Sequence, residues 1–378
     1  MHSCDYLIVG GGIAGASLAY QLGPHARVIV VETESVLGYH TTGRSAAMYL
    51  DFYGGPKVQP LTLASHDFFQ SPPADFTDIP LWHEEGCLQV ARKDQQHKLD
   101  EAYQYQKGFT PHLQQLDATA VYNRVPFLKP DHIVAGIFDP KAKVLDVHQL
   151  HQSYVKQARS NGVQFWTDAQ LFDLHRDGGQ WLAETPKGSI KAEVIINAAG
   201  AWADDIAAMA CCKTLGLQPK RRTIIIAGYY DFDVPDNMPI VFDVDEEIYF
   251  KREASGLLIC PADEHDDVAG DVQPHVEDIA YAAHHFAQMT GTEPKTIKQK
   301  WAGLRTFAPD RHPVIGYDDY MPNFFWSVGQ GGFGIQTAPA WSQLAAALVM
   351  GQGVPEHIKA EMAARTATLD DYSPQRFG

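Results

Sequence analysis

The sequence predicts an α/β protein in which a discontinuous, Rossmann-like nucleotide-binding domain is joined to a sheet-rich α+β domain. Three observations carry this. An amino-terminal G-x-G-x-x-G lies between an apolar strand pattern and a helix pattern. Two further strand–small-residue turn–helix units recur near the middle and the end of the chain. The stretches between them read as hairpins and meanders. The expected division places 1–47, 142–210 and 302–378 in the nucleotide-binding domain, and 48–141 and 211–301 in the substrate-binding domain.

Length and composition permit two domains of this kind. The 378 residues are 45% hydrophobic and 20% charged, enough for sizeable cores. A formal net charge of −16 repels phosphate backbones and anionic lipid, so neither nucleic acid nor a membrane surface is an expected partner. The five cysteines are scattered, with no CxxC spacing, which fits free thiols in a reducing compartment better than a disulfide framework. Asp5 interrupts the apolar amino terminus and no basic leader precedes it. No apolar run is long enough to span a bilayer. The expectation is a cytoplasmic protein.

The first unit runs from Asp5 to Leu22, "DYLIVGGGIAGASLAYQL". "YLIVG" reads as a buried strand; Gly10, Gly12 and Gly15 form the turn; "IAGASLAYQL" reads as a helix stopped by Gly23-Pro24. "RVIVVE" is a second strand that ends in Glu32, about 20 residues after Gly12, where a carboxylate meets a ribose hydroxyl. Glycines there let backbone amides approach a pyrophosphate at the positive end of the helix. A bare glycine turn is the alternative; strand, helix and Glu32 in register argue for a dinucleotide.

The segments beyond Glu32 decide which dinucleotide it is. A nicotinamide domain would continue into another strand–helix–strand unit, but "GYHTTGRSAA" (Gly38 to Ala47) is rich in glycine and hydroxyls. It suits a loop along an extended ligand, contacted by Thr42, Arg44 and Ser45; a solvated turn is the alternative. "AEVIINAAGAWADDIAAMA" (Ala192 to Ala210) is the second unit. "FFWSVGQGGFGIQTAPAWSQLAAALV" (Phe324 to Val349) is the third, and its Gly331, Gly332 and Gly334 place amides at a helix start suited to negative charge on a reduced ring. Three such units around one long cofactor point to FAD rather than NAD.

These stretches, with "WAGLRTFAPDRHPVIG", resemble the D-amino acid oxidase family of flavoproteins, which includes glycine and sarcosine oxidases. Within it, "GYHTTGRSAAMYLDFYG", "LGLQPKRR" and the last glycine motif resemble the D-arginine dehydrogenase branch. The resemblance covers essentially the whole chain. It implies the glutathione-reductase-like fold of that family and an FAD site built from several segments. These are Gly10, Gly12, Ile13, Ala14, Gly15 and Glu32; Thr41, Thr42, Gly43, Arg44, Ser45, Ala46 and Ala47; Ala199, Gly200 and Trp202; Gly303 and Arg305; and Gly331, Gly332, Phe333, Gly334, Ile335 and Gln336. The covalent flavin link of sarcosine oxidases uses a cysteine just after "GLR". This chain has "TFAPDRHPVIG" there, so non-covalent FAD is expected.

An amino acid substrate needs its carboxylate held, and arginine does so with a planar pair of donors. Arg305 lies in the strand-like run "WAGLRTF", where a charge is costly without a partner. Arg222 ends "PKRR". The resemblance implies that both clamp the carboxylate, with the Tyr53 and Tyr249 hydroxyls beside it. The alternatives are a basic surface turn for Arg222, a structural ion pair for Arg305 and plain core aromatics for the tyrosines. No triad is nominated, because the family's hydride transfer asks for positioning and dryness rather than a dedicated base. His40 and His312 are read as structural. His148 and His151 share a helix face but lack a third ligand, so no metal is expected.

One departure from the branch bears on the side chain. Members favouring basic D-amino acids place a carboxylate in the pocket, and this chain has Cys87 at that position; a nearby histidine position is Met48. Both changes favour a neutral or apolar D-amino acid. Glu85, on the same face as Cys87 if the stretch is a strand and about 6–7 Å along, is the alternative partner for a cationic side chain. Gly332 completes the pocket.

The expected reaction is oxidative deamination of a D-amino acid. The alternatives are oxidation of glycine, sarcosine, another secondary amine or a 2-hydroxy acid, or a flavin-binding subunit without turnover. The electron acceptor, whether a quinone, an electron-transfer protein or oxygen, is open.

Overall fold

The computed structural model describes every residue except Tyr229. The first sheet is a parallel core of Gln164–Trp166, Val28–Val31, His2–Val9, Gly188–Asn197 and Phe324–Val328, in that spatial order, with Val314–Tyr317 antiparallel at the edge. Val28–Val31 is buried throughout, as expected of a parallel strand covered on both faces. Ile8, Val30 and Ile196 face the helices Ile13–Leu22 and Gly334–Val349, packing with Leu18, Trp341 and Leu344. Leu7, Ile29 and Ile195 point the other way, toward Trp181, Ile206 and Trp326. The alternation follows from the two-residue period of a strand.

The meander read from the sequence is present. Asp173–Asp177, Gln180–Thr185 and the first half of Gly188–Asn197 pair antiparallel, with Gly178 and Gly179 at positive φ between the first two.

The second sheet runs Thr296–Phe307, Gln218–Gly228, Gly256–Cys260, Tyr249–Glu253, Ile240–Asp243, Cys87–Ala91, Ala135–Asp139, Gln114–Asp117. Tyr249–Glu253 and Gly256–Cys260 form the expected hairpin. One face packs Ile225, Ile259 and Phe250 against Phe286 of the helix Val276–Thr290. The opposite face carries Ile224, Phe242 and Tyr249, and all three look into the cavity between the sheets.

Thr296–Phe307 pairs with Gln218–Gly228 along its length, so position 302, a domain limit expected from the sequence, lies inside a strand of the second sheet. Met48–Tyr49 pairs with Lys143–Leu145 in a separate three-stranded sheet, and Gln59–Ala64 packs on Gly334–Val349.

Candidate functional site

A cavity of about 560 Å³ extends from the end of the first strand to the second sheet. At its first end the strand His2–Val9 stops at Gly10, which has φ +107°, and a methyl there would lie 2.5 Å from the Ala198 carbonyl oxygen. A methyl at Gly15 would lie 1.9 Å from Gly10 O, so the helix Ile13–Leu22 sits on the turn at a distance only glycine allows. Gly12, Ile13 and Ala14 line the cavity while Gly15 supports it from behind.

Glu32 lines the same end and locks it: its carboxylate accepts from Gly11 N (2.8 Å) and Glu34 N (3.0 Å). The Thr42 hydroxyl accepts from Ile13 N at 2.9 Å, satisfying a helix-start amide from 29 residues away. His151 is engaged too, with Nε2 donating to Gly11 O at 2.9 Å. Burial pushes its pKa below the ordinary imidazole value. Among the described residues no group of three or more His, Cys, Asp and Glu side chains could hold a metal ion.

The loop Gly38–Ala47 lies along the cavity and is tied to the second sheet. Thr41 donates to Leu304 O at 2.7 Å, and Trp301 Nε1 donates to Arg44 O at 3.0 Å. Arg44 borders the cavity, but its guanidinium is occupied: it donates to Ala302 O (2.9 Å) and Val272 O (3.2 Å) and pairs with Asp271. Arg44, expected to contact the ligand, thus also anchors the loop to the second sheet. Gly43 hydrogen-bonds back to Gly38 O at 2.8 Å and stays off the cavity wall. Ser45, Ala46, Ala47, Met48 and Gly303 line it.

The second and third turns complete the wall. Ala199, Gly200 and Trp202 line it, and Trp202 packs against His40 at 4.7 Å between ring centroids. Gly331 is at φ +51°, and a methyl there would strike the Phe307 ring. Gly334, Ile335 and Gln336 open the helix Gly334–Val349 onto the cavity. Phe333 instead packs outside the wall, on Tyr53 and Phe307.

Arg222 and Arg305 converge on the wall formed by the second sheet. Gly303 pairs with Arg222 and Lys220 with Arg305, so both arginines point to one face of adjacent strands. The two-residue period sends their neighbour Arg221 to the other face, where it pairs with Asp267 (2.7 Å) and Asp278 (3.1 Å). Arg305 Nη2 donates to the Tyr53 hydroxyl, and Nη1 lies 3.2 Å from Glu264 Oε1. Arg222 Nε donates to Asp263 O (2.7 Å), and Nη2 to the same Glu264 oxygen (3.1 Å). Tyr249 is buried beside Cys260, and burial pushes its pKa well above the ordinary phenol value, keeping it a neutral donor.

Cys87 and Glu85 are not on the cavity wall. Gly86, at φ +77°, turns the chain between the strands Trp82–Glu84 and Cys87–Ala91, with the Glu85 and Gly86 amides both bonded to Ala142 O. The two side chains therefore do not share a strand face. Cys87 is buried in the core, and Glu85 pairs with His83 at 3.3 Å. The carboxylate that does face the cavity near the arginines is Glu246, at φ +56° in the turn "DVDEE". Protein crowding raises its carboxyl pKa and the Arg222 and Arg305 charges pull it back, while its side chain stays open to the cavity. An acidic run in a turn reads as solvated surface, so nothing in the sequence singles it out.

The residues fit FAD. A long cavity joins three strand–turn–helix junctions, and the glycine turn leaves room that a methyl would fill. A family model described as FAD dependent oxidoreductase (DAO) matches residues 5–348. The mitochondrial dimethylglycine dehydrogenase of Rattus norvegicus is 25% identical over 360 residues, covering 86% of this chain and 41% of that protein; this chain thus spans about two fifths of that relative. Glycine oxidase of Bacillus subtilis (strain 168) is 23% identical over 381 residues, covering 93% of this chain and 94% of that protein. The glycine oxidase structure from Geobacillus kaustophilus superposes with a TM-score of 0.82 at 21% identity, covering 93% of this chain and 96% of that one. The L-proline dehydrogenase structure from P. horikoshii gives 0.80 at 20% identity, covering 97% of this chain and 99% of that one.

Proposed function

From the premise that this chain belongs to the DAO family of FAD-dependent oxidoreductases, we propose that it oxidises a D-amino acid to the 2-oxo acid and ammonia. The observation that supports this is the convergence of Arg222 and Arg305 on one cavity face, with the Tyr53 and Tyr249 hydroxyls beside them. Two guanidiniums and two hydroxyls match a single carboxylate.

FAD, bound non-covalently, supplies a hydride acceptor for the substrate Cα hydrogen. The chain's part is to bind and orient. Arg222 and Arg305 hold the carboxylate, the tyrosine hydroxyls fix its rotation, and the substrate amine loses its proton to solvent before transfer. The resulting imine takes up water and releases ammonia. No side chain is assigned as a general base, since positioning carries the step.

The side chain is neutral or apolar: Met48, Leu50, Ile224 and Phe242 line the cavity near the arginine pair. Glu246 supports a second reading, in which a cationic side chain meets its carboxylate. The names of the relatives, glycine oxidase and dimethylglycine dehydrogenase, support a third, in which the substrate is glycine or an N-methylated glycine.

Anaerobic mixing of the FAD-loaded protein with D- and L-amino acids, glycine, sarcosine and dimethylglycine separates these. Loss of oxidised-flavin absorbance with apolar D-amino acids alone supports the first reading. Loss with D-arginine supports the Glu246 reading, and loss only with glycine or its methylated forms replaces both.

A further inference from the structure

Glu264 stands among three guanidiniums. Its Oε1 accepts from Arg222 Nη2 at 3.1 Å and Arg305 Nη1 at 3.2 Å, and its Oε2 accepts from Arg311 Nη2 at 2.8 Å. It does not border the cavity that both receptor arginines line. The segment that delivers it is held tightly. Ala262 adopts φ +53°, and the Asp263 carbonyl takes Arg222 Nε. The Asp263 carboxylate takes Thr223 N (2.7 Å) and Oγ1 (2.9 Å). Arg222 Nη1 and Arg305 Nε have no hydrogen-bond partner among the described residues, so each arginine keeps a donor in reserve.

We propose that Glu264 is a positioning and specificity-determining residue: bridging Arg222 and Arg305 from outside the cavity, it offsets part of their positive charge and leaves a receptor that accepts a monocarboxylate and discriminates against dicarboxylates. Two guanidiniums this close repel each other, and a shared carboxylate oxygen holds both in one orientation. Burial raises the Glu264 carboxyl pKa, but the Arg311 hydrogen bond and the three guanidinium charges more than offset this, so Glu264 stays ionised. Arg311, half exposed and over the Phe307 ring, draws Glu264 outward. Glu246 also faces the pair and is unchanged in both test variants.

The inference rests on the arginine pair being a carboxylate receptor, and the test separates the two. The FAD-loaded protein is titrated with acetate and with malonate, following the flavin absorbance change, which requires no turnover. In Glu264→Gln the positive charge that Glu264 offset is uncovered, so malonate is expected to bind about tenfold tighter and acetate about threefold tighter. A residue that merely supports the fold would loosen both anions instead. Unchanged or weaker malonate binding in a variant that keeps its FAD overturns the role of Glu264. Failure of acetate to perturb the unaltered protein overturns the receptor itself. Should Glu264→Gln not fold, Arg311→Gln carries the test. Freed from Arg311, Glu264 competes harder for the pair, and acetate is expected to bind about threefold more weakly. Unchanged acetate binding there overturns the proposal.

Discussion

A methyl group at Gly332 would lie 1.8 Å from Arg305 Nη2. The guanidinium of one residue occupies the space a side chain of the other would need. Gly332→Ala should therefore displace Arg305 from Tyr53 and Glu264 without disturbing the first strand's turn. Losing a charge-assisted carboxylate contact costs about 2–3 kcal/mol, so kcat/KM should fall about 30- to 150-fold, mainly through KM. Steady-state kinetics with flavin content as control checks this; an unchanged KM would show that the carboxylate binds elsewhere.

Replacing Arg222 or Arg305 by lysine keeps the charge and removes the fork. Each variant should lose about tenfold or more in kcat/KM because one ammonium cannot reproduce two planar donors. Arg221→Lys serves as the contrast. Its partners are Asp267, Asp278 and His275 on the opposite face, so it should change thermal stability and leave KM near the starting value.

At the other end of the cavity, Gly15→Ala puts a methyl 1.9 Å from a backbone oxygen. Neither partner is a flexible side-chain tip, so the helix must move off the turn. The purified variant should carry much less FAD, read as the ratio of flavin to protein absorbance. Full flavin occupancy would mean that the turn is not part of the cradle.

Glu32→Gln should leave one of the Gly11 and Glu34 amides without its acceptor, because a side-chain amide offers one carbonyl oxygen where the carboxylate has two. A loss of about 1–3 kcal/mol is expected for a half-buried donor deprived of its partner. Denaturant unfolding of the FAD-free protein measures the loss apart from any contact with the cofactor.

Asp51 gives a pH-dependent prediction. Burial, with the charge of Asp139, raises its carboxyl pKa to about 6, with Lys143 opposing. The folded protein then holds a proton that the unfolded chain releases near the usual carboxylate value. The stabilisation from the neutral form is present at low pH and is lost as pH rises through about 6. Asp51→Asn should be more stable than the parent at about pH 8, with the difference shrinking toward about pH 4. An equal difference at both pH values would rule out Asp51 as the titrating group.

Much of this site was legible along the chain because its determinants are local. The glycine turn, Glu32 at the end of the second strand and the hairpin Tyr249–Cys260 each depend on residues within a short span. Other features went unread. The same-face reading of Glu85 and Cys87 fails because Gly86 turns the chain and both amides there bond to Ala142, some 55 residues on. The Val272 and Ala302 carbonyls that hold the Arg44 guanidinium lie 228 and 258 residues away along the chain, beyond the reach of any local pattern.

By itself the sequence determined the kind of cofactor cradle and supplied the residue types of the proposed carboxylate receptor, because backbone freedom at glycine and strand period are properties of neighbouring residues. Tertiary structure alone decided which charges meet. Glu264 bridges Arg222 and Arg305 only because two strands pair in one register and a third segment folds over them. Ion-pair partners are chosen by distance in space, and separation along the chain carries no record of that distance.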